Sequence, residues 1–332
     1  MSLKQTLLSV LQTISSQDEY ISGQELAERC KVSRTAVWKA IEALRADGAA
    51  IEAVTNRGYR LVSDDIFNED TIKKYIADPA VQIKFFEETD STNTQAKRDL
   101  ADSDGKSIHK TLYAAAKQSA GRGRLGRTFY SPDKSGIYFS LVYYQPNITK
   151  PALFTASAAV AVCRALDKVF NVQPEIKWVN DIYLNGKKIC GILTEGIANF
   201  ETGSIDSAII GIGINISNNE LFPEELKKIA GAVLSDSVSA KRAELCAQVV
   251  NELLFILDGD SKTKEDAMTE YRNKSFLIGK EIEVFPVIDG SEKYLCKVLD
   301  VTEEAKLVVQ LGNGENRILD SGEVSIHSKV VV

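Results

Sequence analysis

The sequence predicts an α+β protein built from three parts, and three patterns carry that prediction. Apolar residues at helical spacing fill the N-terminal part, strands alternate with helices in the middle, and short alternating strands follow one another at the end. We therefore expect a winged helix-turn-helix at residues 1–64, a mixed α/β domain at 65–275 and a small β-barrel at 276–332.

The N-terminal part has the signals of three helices followed by a β-hairpin. Leu3–Ile14 is amphipathic, and Ser22 and Ser33 can each cap a further helix by accepting a hydrogen bond from a backbone N–H. The third helix would bury one apolar stripe, formed by Val37, Ile41 and Leu44. The turn at 56–58 predicts a hairpin that forms a wing. The polar, acidic segment 63–70 predicts a connection to the next domain.

The remaining elements follow from periodicity and turn signals. Helices are predicted at 71–77, 93–101, 152–170, 241–257 and 264–273. Strands are predicted at 50–54, 59–62, 81–86, 112–117, 136–144, 205–216, 280–285, 294–301, 307–311 and 316–319. The adjacent Asn185 and Gly186 predict one more hairpin, between the strand segments 175–184 and 187–195.

Composition and charge narrow the class of protein. With 44% hydrophobic and 26% charged residues, the chain has the composition of a soluble globular protein. The longest apolar stretch, 153–165, is interrupted by polar residues and is too short to cross a bilayer. The start of the chain has no export signal, so we expect a cytoplasmic protein that does not bind membranes. Five widely spaced cysteines and two histidines argue against a disulfide framework or a zinc site.

A local basic patch in the N-terminal part predicts DNA binding. The chain has a formal net charge of −6, so attraction to nucleic acid must come from a local patch. Residues 31–60 contain six basic and three acidic side chains, a local net charge of +3. The candidate DNA contacts on the third helix and the wing are Ser33, Arg34, Thr35, Trp38, Lys39, Arg45, Arg57 and Arg60. A winged helix used only for dimerisation or protein docking is the alternative. Because so small a patch offers few phosphate contacts, we expect a homodimer on operator DNA.

The arginine-glycine loop, residues 118–127, is the most informative segment. Gly121, Gly123 and Gly126 match the spacing of a dinucleotide-binding turn, but that fold needs a helix directly after the turn, and a strand pattern follows here. Glycine lets the backbone approach a ligand closely, and arginine offers a planar fork for carboxylate and phosphate oxygens. The arginines that alternate with these glycines are Arg122, Arg124 and Arg127. The loop predicts a substrate with two anionic groups; a solvated basic loop without function is the alternative.

The hairpin around Asn185 and Gly186 adds charged groups of both signs. Lys188 is expected to lie across from the strand that carries Asn180 and Asp181, and Asp181 and Lys188 together could hold a metal-bound phosphate and a carboxylate. An exposed hairpin with a surface ion pair, usually worth less than about 1 kcal/mol, is the alternative. Beside the arginine-glycine loop the functional interpretation is favoured, because both segments supply cations for one anionic centre.

These segments resemble those of the biotin protein ligases, in the class whose members also serve as biotin operon repressors. The resemblance covers almost the whole chain. Its matching pieces are the predicted winged helix and the segments 90–93, 118–127, 177–181, 187–191 and 211–215. Two positions depart from the family pattern: Val179 stands where proline is usual and Phe129 where tryptophan is usual. The resemblance implies a central domain related to the class II synthetases and an SH3-like C-terminal barrel.

The resemblance also implies roles for individual residues. The implied biotin-binding residues are Ser91, Thr92, Asn93, Gln118, Gly121, Arg122, Gly123, Arg124 and Lys188. The implied ATP- and adenylate-binding residues are Arg122, Arg124, Arg127, Phe129, Lys177, Asn180 and Asn215. The implied catalytic residues are Arg122, Arg124, Lys188 and Asp181, and Asp181 is also the candidate ligand for Mg²⁺. Without the resemblance, Ser91 and Thr92 would be ordinary helix caps and Asn215 a buried strand end.

The implied activity uses ATP and biotin. Biotin would form biotinyl-5′-AMP with release of pyrophosphate, and a lysine of the biotin carboxyl carrier protein of acetyl-CoA carboxylase, or of a similar carboxylase, would then take the biotin. Biotinyl-5′-AMP would also be the corepressor that promotes a homodimer on operator DNA. A lipoate ligase is the alternative enzyme, but it explains neither the N-terminal part nor the arginine-glycine loop. A biotin-sensing regulator without enzymatic activity is the non-enzyme alternative.

Overall fold

The fold is described from a computed structural model of the chain. The described residues are 2–14, 19–63, 65–103, 105–198, 203–217, 222–234, 241–285, 292–320 and 323–326. Asp64, in the predicted interdomain connection, and 327–332, the end of the predicted third domain, lie outside them. Within these ranges, no helix is both long enough and apolar enough to span a membrane.

The N-terminal part is a three-helix unit with a two-stranded wing, as predicted. Its elements are α1 Leu3–Ile14, α2 Gly23–Cys30, α3 Arg34–Ala46, β1 Ala50–Val54 and β2 Gly58–Ser63. The side chains of Ser22 and Ser33 accept hydrogen bonds from Glu25 N and Ala36 N, which caps α2 and α3. A separate apolar core, which includes Leu7, Leu26, Val37, Ile41 and Leu44, holds the unit together.

The wing is tied to the helices through Gly58. Its φ is +108°, and a Cβ at this position would lie 2.1 Å from the carbonyl oxygen of Ile21. The next residue, Tyr59, exchanges two backbone hydrogen bonds with Ile21, at 2.9 and 2.8 Å. Glycine is therefore required here both for the backbone conformation and for the close approach of the segment before α2.

The central part is built around a seven-stranded mixed sheet. Its strands are β3 Gln82–Thr89, β4 Thr111–Gln118, β5 Gly136–Tyr144, β6 Glu175–Lys177, β7 Asp181–Leu184, β8 Lys187–Ala198 and β9 Ile205–Asn215. The strand order is β3-β4-β5-β9-β8-β7-β6, with β3 and β4 parallel and the other neighbours antiparallel. Its helices are α4 Glu69–Lys73, α5 Thr92–Ala101, α6 Ala152–Phe170, α7 Glu224–Ile229, α8 Arg242–Leu257 and α9 Ser261–Lys274.

Helices cover both faces of this sheet. Tyr113 packs with Ala96 of α5 in a small core on one face. Its neighbour Leu112 belongs to the large core on the other face, together with the buried side of α6 and α8. Successive residues of a strand point to opposite faces, so β4 contributes to both cores.

Two predicted helices begin earlier in the structure, and one short helix was not predicted. The helix predicted at 71–77 is α4 and begins at Glu69, because Asn68 and Thr71 form a capping box. α9 begins at Ser261 rather than 264, because the Asp260 carboxylate caps its first turn. α7 was not predicted at all: it has only six residues and none of them is buried, so the sequence shows no apolar stripe there.

The segment 175–184 is two strands rather than one. β6 and β7 pair with each other, with Lys177 opposite Asp181, and a turn at 178–180 joins them. The peptide bond between Trp178 and Val179 in this turn is cis. The predicted turn at Asn185 and Gly186 is present: both residues have positive φ, 52° and 75°, and β8 follows directly.

The C-terminal part is a five-stranded antiparallel sheet. Its strands are β10 Glu281–Phe285, β11 Tyr294–Val301, β12 Leu307–Leu311, β13 Asn316–Leu319 and β14 Glu323–Ile326, of which β14 was not predicted. The strand order is β13-β12-β11-β10-β14. Buried residues such as Val298 and Val309 continue the core of the central part. The division at 275/276 therefore stays a prediction, since no separate apolar core supports it.

Candidate functional site

One cavity of about 660 Å³ collects the residues predicted from the central segments. Its volume lies within the range of small-molecule sites. The predicted residues that line it are Ser91, Thr92, Asn93, Gln118, Arg122, Gly123, Arg124, Arg127, Phe129, Lys177, Asn180, Asp181, Lys188 and Asn215. Gly121 is the one predicted central residue outside this lining. Residues from separate parts of the sequence thus face a single space.

The arginine-glycine loop folds back on itself at the edge of the cavity. Gly123 N donates to Arg127 O at 2.7 Å, and Phe129 N donates to Gly121 O at 2.9 Å. Gly121 packs so closely that a Cβ would lie 2.3 Å from Phe129 O. This backbone contact explains why glycine is required at position 121. Gly121 therefore shapes the loop rather than lining the cavity. Leu125 and Gly126 form the tip, both with positive φ.

Each of three cations at the cavity has a partner within the protein. Arg122 Nη1 lies 3.3 Å from Glu195 Oε1. Arg124 Nη1 donates to Asn180 Oδ1 at 3.0 Å. Lys188 Nζ lies 2.6 Å from Asp181 Oδ1. The arginine-glycine loop and β8 thus place three positive groups at one cavity.

The cavity lining also contains a connected set of uncharged polar groups. Gln118 Oε1 accepts a hydrogen bond from Thr92 N at 2.9 Å, while its Nε2 donates to Ser131 Oγ at 2.8 Å. The hydroxyl of Ser91 has no hydrogen-bond partner within the described residues, although the side chain is only 2% exposed. Ser91 is the residue before α5 but its side chain does not cap that helix. The ordinary capping interpretation is therefore wrong for Ser91.

Asn93 is held entirely by protein groups. Its Nδ2 donates to Leu193 O at 3.2 Å and to Glu195 Oε2 at 2.9 Å, which uses both hydrogens of the amide. Its Oδ1 accepts from Ser140 Oγ at 2.5 Å. A ligand in the cavity could therefore meet only the oxygen of this amide.

Two glycines of β9 allow side chains to pack tightly against the cavity wall. A Cβ on Gly211 would lie 2.0 Å from Asn93 Oδ1, and a Cβ on Gly213 would lie 2.5 Å from the ring of Phe129. Asn215, 7% exposed, follows on the same strand and donates through Nδ2 to Gly231 O at 3.1 Å. Glycine is therefore needed at Gly211 for the approach of Asn93 and at Gly213 for the approach of the Phe129 ring.

Sequence reasoning missed several residues of this site. Glu195 and Ser140 bond predicted residues directly, and a carboxylate in the apolar strand β8 was a signal that could have found Glu195. The cavity also has an apolar rim, formed by Phe222, Leu226, Ile229, Phe285 and Val324. Phe285 and Val324 come from the C-terminal sheet, and no local pattern connects them to the other segments.

A metal centre made by the protein alone is not present in the described part of the chain. Within it, no three side chains of His, Cys, Asp or Glu are grouped so that they could hold an ion. Asp181, the predicted Mg²⁺ ligand, is already paired with Lys188. The residues present therefore do not form a dedicated magnesium site.

The surface of α3 presents most of the predicted DNA contacts to solvent. Ser33, Arg34, Thr35 and Lys39 are exposed, and Trp38 is 54% exposed. On the wing, the guanidinium of Arg57 lies 4.2 Å from the ring centre of Tyr20 and remains exposed. These side chains are available to a partner.

Arg45 and Arg60 are used within the fold. Arg45 donates through Nε and Nη2 to Ile51 O, at 3.0 and 2.6 Å, and through Nη1 to Glu42 at 2.7 Å. Arg60 donates to Glu52 at 2.8 Å. The last turn of α3 lies against β1, so the guanidinium of Arg45 satisfies a strand carbonyl, and its contact with DNA stays a prediction.

The chain combines a cation-lined cavity on a mixed sheet with a winged helix-turn-helix, and the families that match these two parts are a protein ligase family and a helix-turn-helix domain. Residues 85–215 match the Biotin/lipoate A/B protein ligase family, and residues 6–60 match an HTH domain. The Bifunctional ligase/repressor BirA of Bacillus spizizenii is 40% identical over 96% of this chain and 97% of its own length. The protein of the same description from Bacillus subtilis is 34% identical over 95% and 98%.

A solved structure agrees with these relatives. The biotin protein ligase of Aquifex aeolicus in complex with biotin and ATP superposes with a TM-score of 0.58 at 26% identity, over 74% of this chain and 98% of that one. The chain therefore belongs to the family of bifunctional biotin protein ligases and repressors.

Proposed function

We propose that the cavity joins biotin to ATP, forming biotinyl-5′-AMP, and that the adenylate then serves both as acyl donor and as corepressor. One observation carries the proposal: Arg122, Arg124 and Lys188 line the same cavity as the uncharged polar turn that begins at Ser91. Such a site can bind a carboxylate and a phosphate close together while its uncharged polar groups hold a neutral head group.

The three cations reduce the electrostatic repulsion that opposes the first step. A carboxylate and a triphosphate repel each other, and fixed positive groups beside both anions reduce that repulsion and stabilise the charge that develops during the reaction. An oxygen of the biotin carboxylate attacks the α-phosphorus, the bond to the β-phosphate oxygen breaks, and pyrophosphate leaves. Arg122, Arg124 and Lys188 are assigned to the two anions.

The two parts of the ligand are assigned by their chemistry. The ureido ring of biotin needs donors and acceptors, and it is assigned to Ser91, Thr92 and Gln118, which line the cavity. The adenosine part is assigned to Arg127, Phe129, Lys177, Asn180 and Asn215, which line the same cavity. Asp181 keeps Lys188 oriented through their ion pair.

We expect Mg²⁺ to bind together with the phosphates of ATP. Mg²⁺ is usually bound by one or two carboxylates together with substrate phosphates. Because Asp181 is paired with Lys188 and the described residues offer no other cluster of ligands, no step is assigned to an ion held by the protein.

The second step needs protection from water and then access for an amine. The apolar rim around Phe222, Ile229 and Phe285 can cover the mixed anhydride, which water would otherwise hydrolyse. A lysine amine of a biotin carboxyl carrier protein attacks the acyl carbon, and AMP leaves with the electron pair. No covalent enzyme intermediate is required.

Repression is assigned to the N-terminal unit, with the adenylate as its signal. Exposed Arg34, Trp38 and Lys39 on α3 give it a surface for a DNA groove. We assign residues 1–64 to this domain, 65–275 to the ligase domain and 276–332 to a third domain, in a cytoplasmic protein. Biotinyl-5′-AMP that accumulates unused would favour a homodimer on operator DNA.

Pyrophosphate exchange tests the ligase proposal. The full chain is incubated with ATP and labelled pyrophosphate, with either biotin or lipoate added. Exchange that depends on biotin and is at least tenfold slower with lipoate is expected. Exchange that is faster with lipoate, or that occurs without either acid, would contradict the substrate assignment. DNA binding with and without biotin plus ATP tests the corepressor, and equal affinities would exclude it.

A further inference from the structure

Tyr20 lies beside the wing of the N-terminal unit and belongs to none of the predicted DNA contacts. Its neighbour Ile21 is 2% exposed and exchanges two backbone hydrogen bonds with Tyr59 of β2. The hydroxyl of Tyr20 donates to Glu52 Oε2 on β1 at 2.7 Å. The side chain is therefore held at both ends, by the backbone next to it and by its own hydroxyl, so the ring has a fixed place beside the wing.

Two arginines of the wing approach this ring, and they differ in what neutralises their charge. The guanidinium carbon of Arg57 lies 4.2 Å from the ring centre of Tyr20, and that of Arg60 lies 5.1 Å from it. Arg60 also donates to Glu52 Oε2 at 2.8 Å. Hydrogen bonds from Tyr20 and Arg60 lower the pKa of Glu52, so this carboxylate is an anion at neutral pH and offsets the charge of Arg60. Arg57 instead meets the uncharged face of a ring and keeps its positive charge.

We propose that Tyr20 is a positioning residue of the DNA-binding unit, whose ring holds the guanidinium of Arg57 where it binds a backbone phosphate of duplex DNA. The proposal rests on the proposed function in one respect, the binding of DNA by the N-terminal unit. Tyr20 acts through Arg57 and needs no contact of its own with DNA.

The contact with the ring and a contact with phosphate can exist together. An aromatic face attracts the cation of arginine, while the planar fork of N–H donors is what binds the oxygens of a phosphate. Arg57 is exposed, so a phosphate can reach it. A side chain that is held in place beforehand loses less conformational freedom when it binds, which strengthens binding without any new contact. Tyr20 should therefore raise the affinity for DNA although it carries no charge.

DNA binding by variants of Tyr20 tests the proposal. The full chain, with biotin and ATP present throughout, is titrated into a fluorescent nonspecific duplex and followed by anisotropy. Tyr20→Leu removes the ring, and we expect binding to be about two- to fivefold weaker, the range for a cation–π contact at an exposed site. Tyr20→Phe keeps the ring and loses only the hydroxyl, so its affinity should stay within about twofold of the wild type.

A double-variant cycle separates an effect through Arg57 from a general effect on the fold. Arg57→Ala should weaken binding and lower the slope of log K against log salt by about 1 for each N-terminal unit bound. In this background Tyr20→Leu should weaken binding by less than about twofold, because no guanidinium is left to position. Equal losses in both backgrounds would overturn the proposal. Unchanged or tighter binding by Tyr20→Leu alone would also overturn it, since the ring would then be neutral or a competitor of the phosphate.

A measurement on the wild type covers the case in which Tyr20→Leu does not fold. The ring current of an aromatic side chain shifts the NMR signals of protons above its face upfield. The Cδ protons of Arg57, assigned by their absence from Arg57→Ala, should therefore be shifted upfield in the free protein, and the shift should persist when the duplex is added. Loss of the shift on adding DNA would show that Arg57 leaves the ring, which would overturn the proposal.

Failure of the proposed DNA binding gives a different result from failure of this proposal. A wild type that does not bind the duplex would contradict the DNA-binding role, and the role of Tyr20 would fall with it. A wild type that binds, together with a Tyr20→Leu variant of equal affinity, would overturn the positioning role alone.

Discussion

Arg242 and Asp65 form a buried ion pair where the N-terminal unit meets the rest of the chain. Arg242 Nε lies 2.6 Å from Asp65 Oδ2, and the backbone N of Arg242 donates to Asp65 Oδ1 at 2.8 Å. The side chains are 4% and 10% exposed. The next two residues, Ile66 and Phe67, belong to the N-terminal core and the large core respectively. The pair therefore fixes the segment that links the two cores.

Removing one partner of this pair should be strongly destabilising. Arg242→Met leaves the Asp65 carboxylate buried without its counter-charge, which typically costs about 3–5 kcal/mol. We expect the free energy of unfolding, measured by urea denaturation, to fall by about that amount.

A double variant separates the lost charge from the lost packing. Asp65→Ala combined with Arg242→Met removes both charges, and it should recover most of the stability lost in the single variant. Glu304→Gln is the control, since its pair with Lys150 is on the surface, and it should cost less than about 1 kcal/mol. A single Arg242→Met variant as stable as this control would contradict the prediction.

Local signals explain how much of the fold could be predicted from the sequence. The serines that cap α2 and α3, the Asn-Gly turn before β8 and the long helix α6 each depend on residues adjacent in the chain. The short α7 and the break within 175–184 have no such local signal. The break depends on long-range contacts, such as the hydrogen bond of 2.8 Å from Trp178 Nε1 to Ala305 O, which joins residues more than a hundred positions apart.

The same distinction applies to the candidate site. Spacing and charge were enough to indicate Arg122, Arg124 and Lys188, because glycines and a tight turn accompany them. Phe285 lines the cavity, and Glu195 contacts the lining residues Asn93 and Arg122, only because distant segments pack together, and a single sequence does not show that packing. For Arg45 the sequence shows only its place on α3, away from the apolar stripe. It does not show that the folded hairpin brings the carbonyl of Ile51 within hydrogen-bond distance of the guanidinium.

Lys188 should be required for chemistry rather than for folding. Lys188→Met removes the positive group that lies 2.6 Å from Asp181 and faces the cavity. Loss of one preorganised group that stabilises transition-state charge typically costs about a hundredfold or more in kcat. We expect a loss of that size in biotin-dependent pyrophosphate exchange.

Lys187→Met is the matched control for this prediction. Lys187 is the preceding residue on β8, is exposed, and among the described residues donates only a long hydrogen bond of 3.4 Å, to Lys227 O. Its activity should stay within about twofold of the wild type. Equal losses in both variants would show that positive charge on the hairpin matters, not its position.

The two kinds of basic residue on α3 should respond differently to substitution. Lys39 is exposed, so Lys39→Ala should weaken binding to nonspecific duplex DNA and lower the slope of log K against log salt by about 1. Arg45 bonds Ile51 O, so Arg45→Ala should leave that slope unchanged and lower the thermal stability of the N-terminal unit. Salt titrations followed by fluorescence anisotropy measure the slope. A lower slope for Arg45→Ala would instead indicate that Arg45 contacts the DNA phosphates.

His109 should make the protein less stable as the pH falls below neutrality. Its Nδ1 accepts a hydrogen bond from Tyr144 N at 3.1 Å, and its ring centre lies 4.9 Å from that of Tyr143. Burial lowers the pKa of His109, and the neighbouring Lys110 lowers it further, against the opposing charges of Asp258 and Asp78. The folded state therefore favours the neutral ring.

The sign of the pH dependence follows from the lowered pKa. Below about pH 6.5 the unfolded histidine takes up a proton that the folded one resists, so folding stability is full above that pH and falls below it, until the folded pKa is passed. His109→Asn keeps an acceptor for Tyr144 N but does not titrate. Between pH 7.5 and 5.5, values chosen about one unit either side of that pKa, the melting temperature of the wild type should fall more than that of the variant. Parallel curves would show that carboxylates, not His109, set the acid sensitivity in this range.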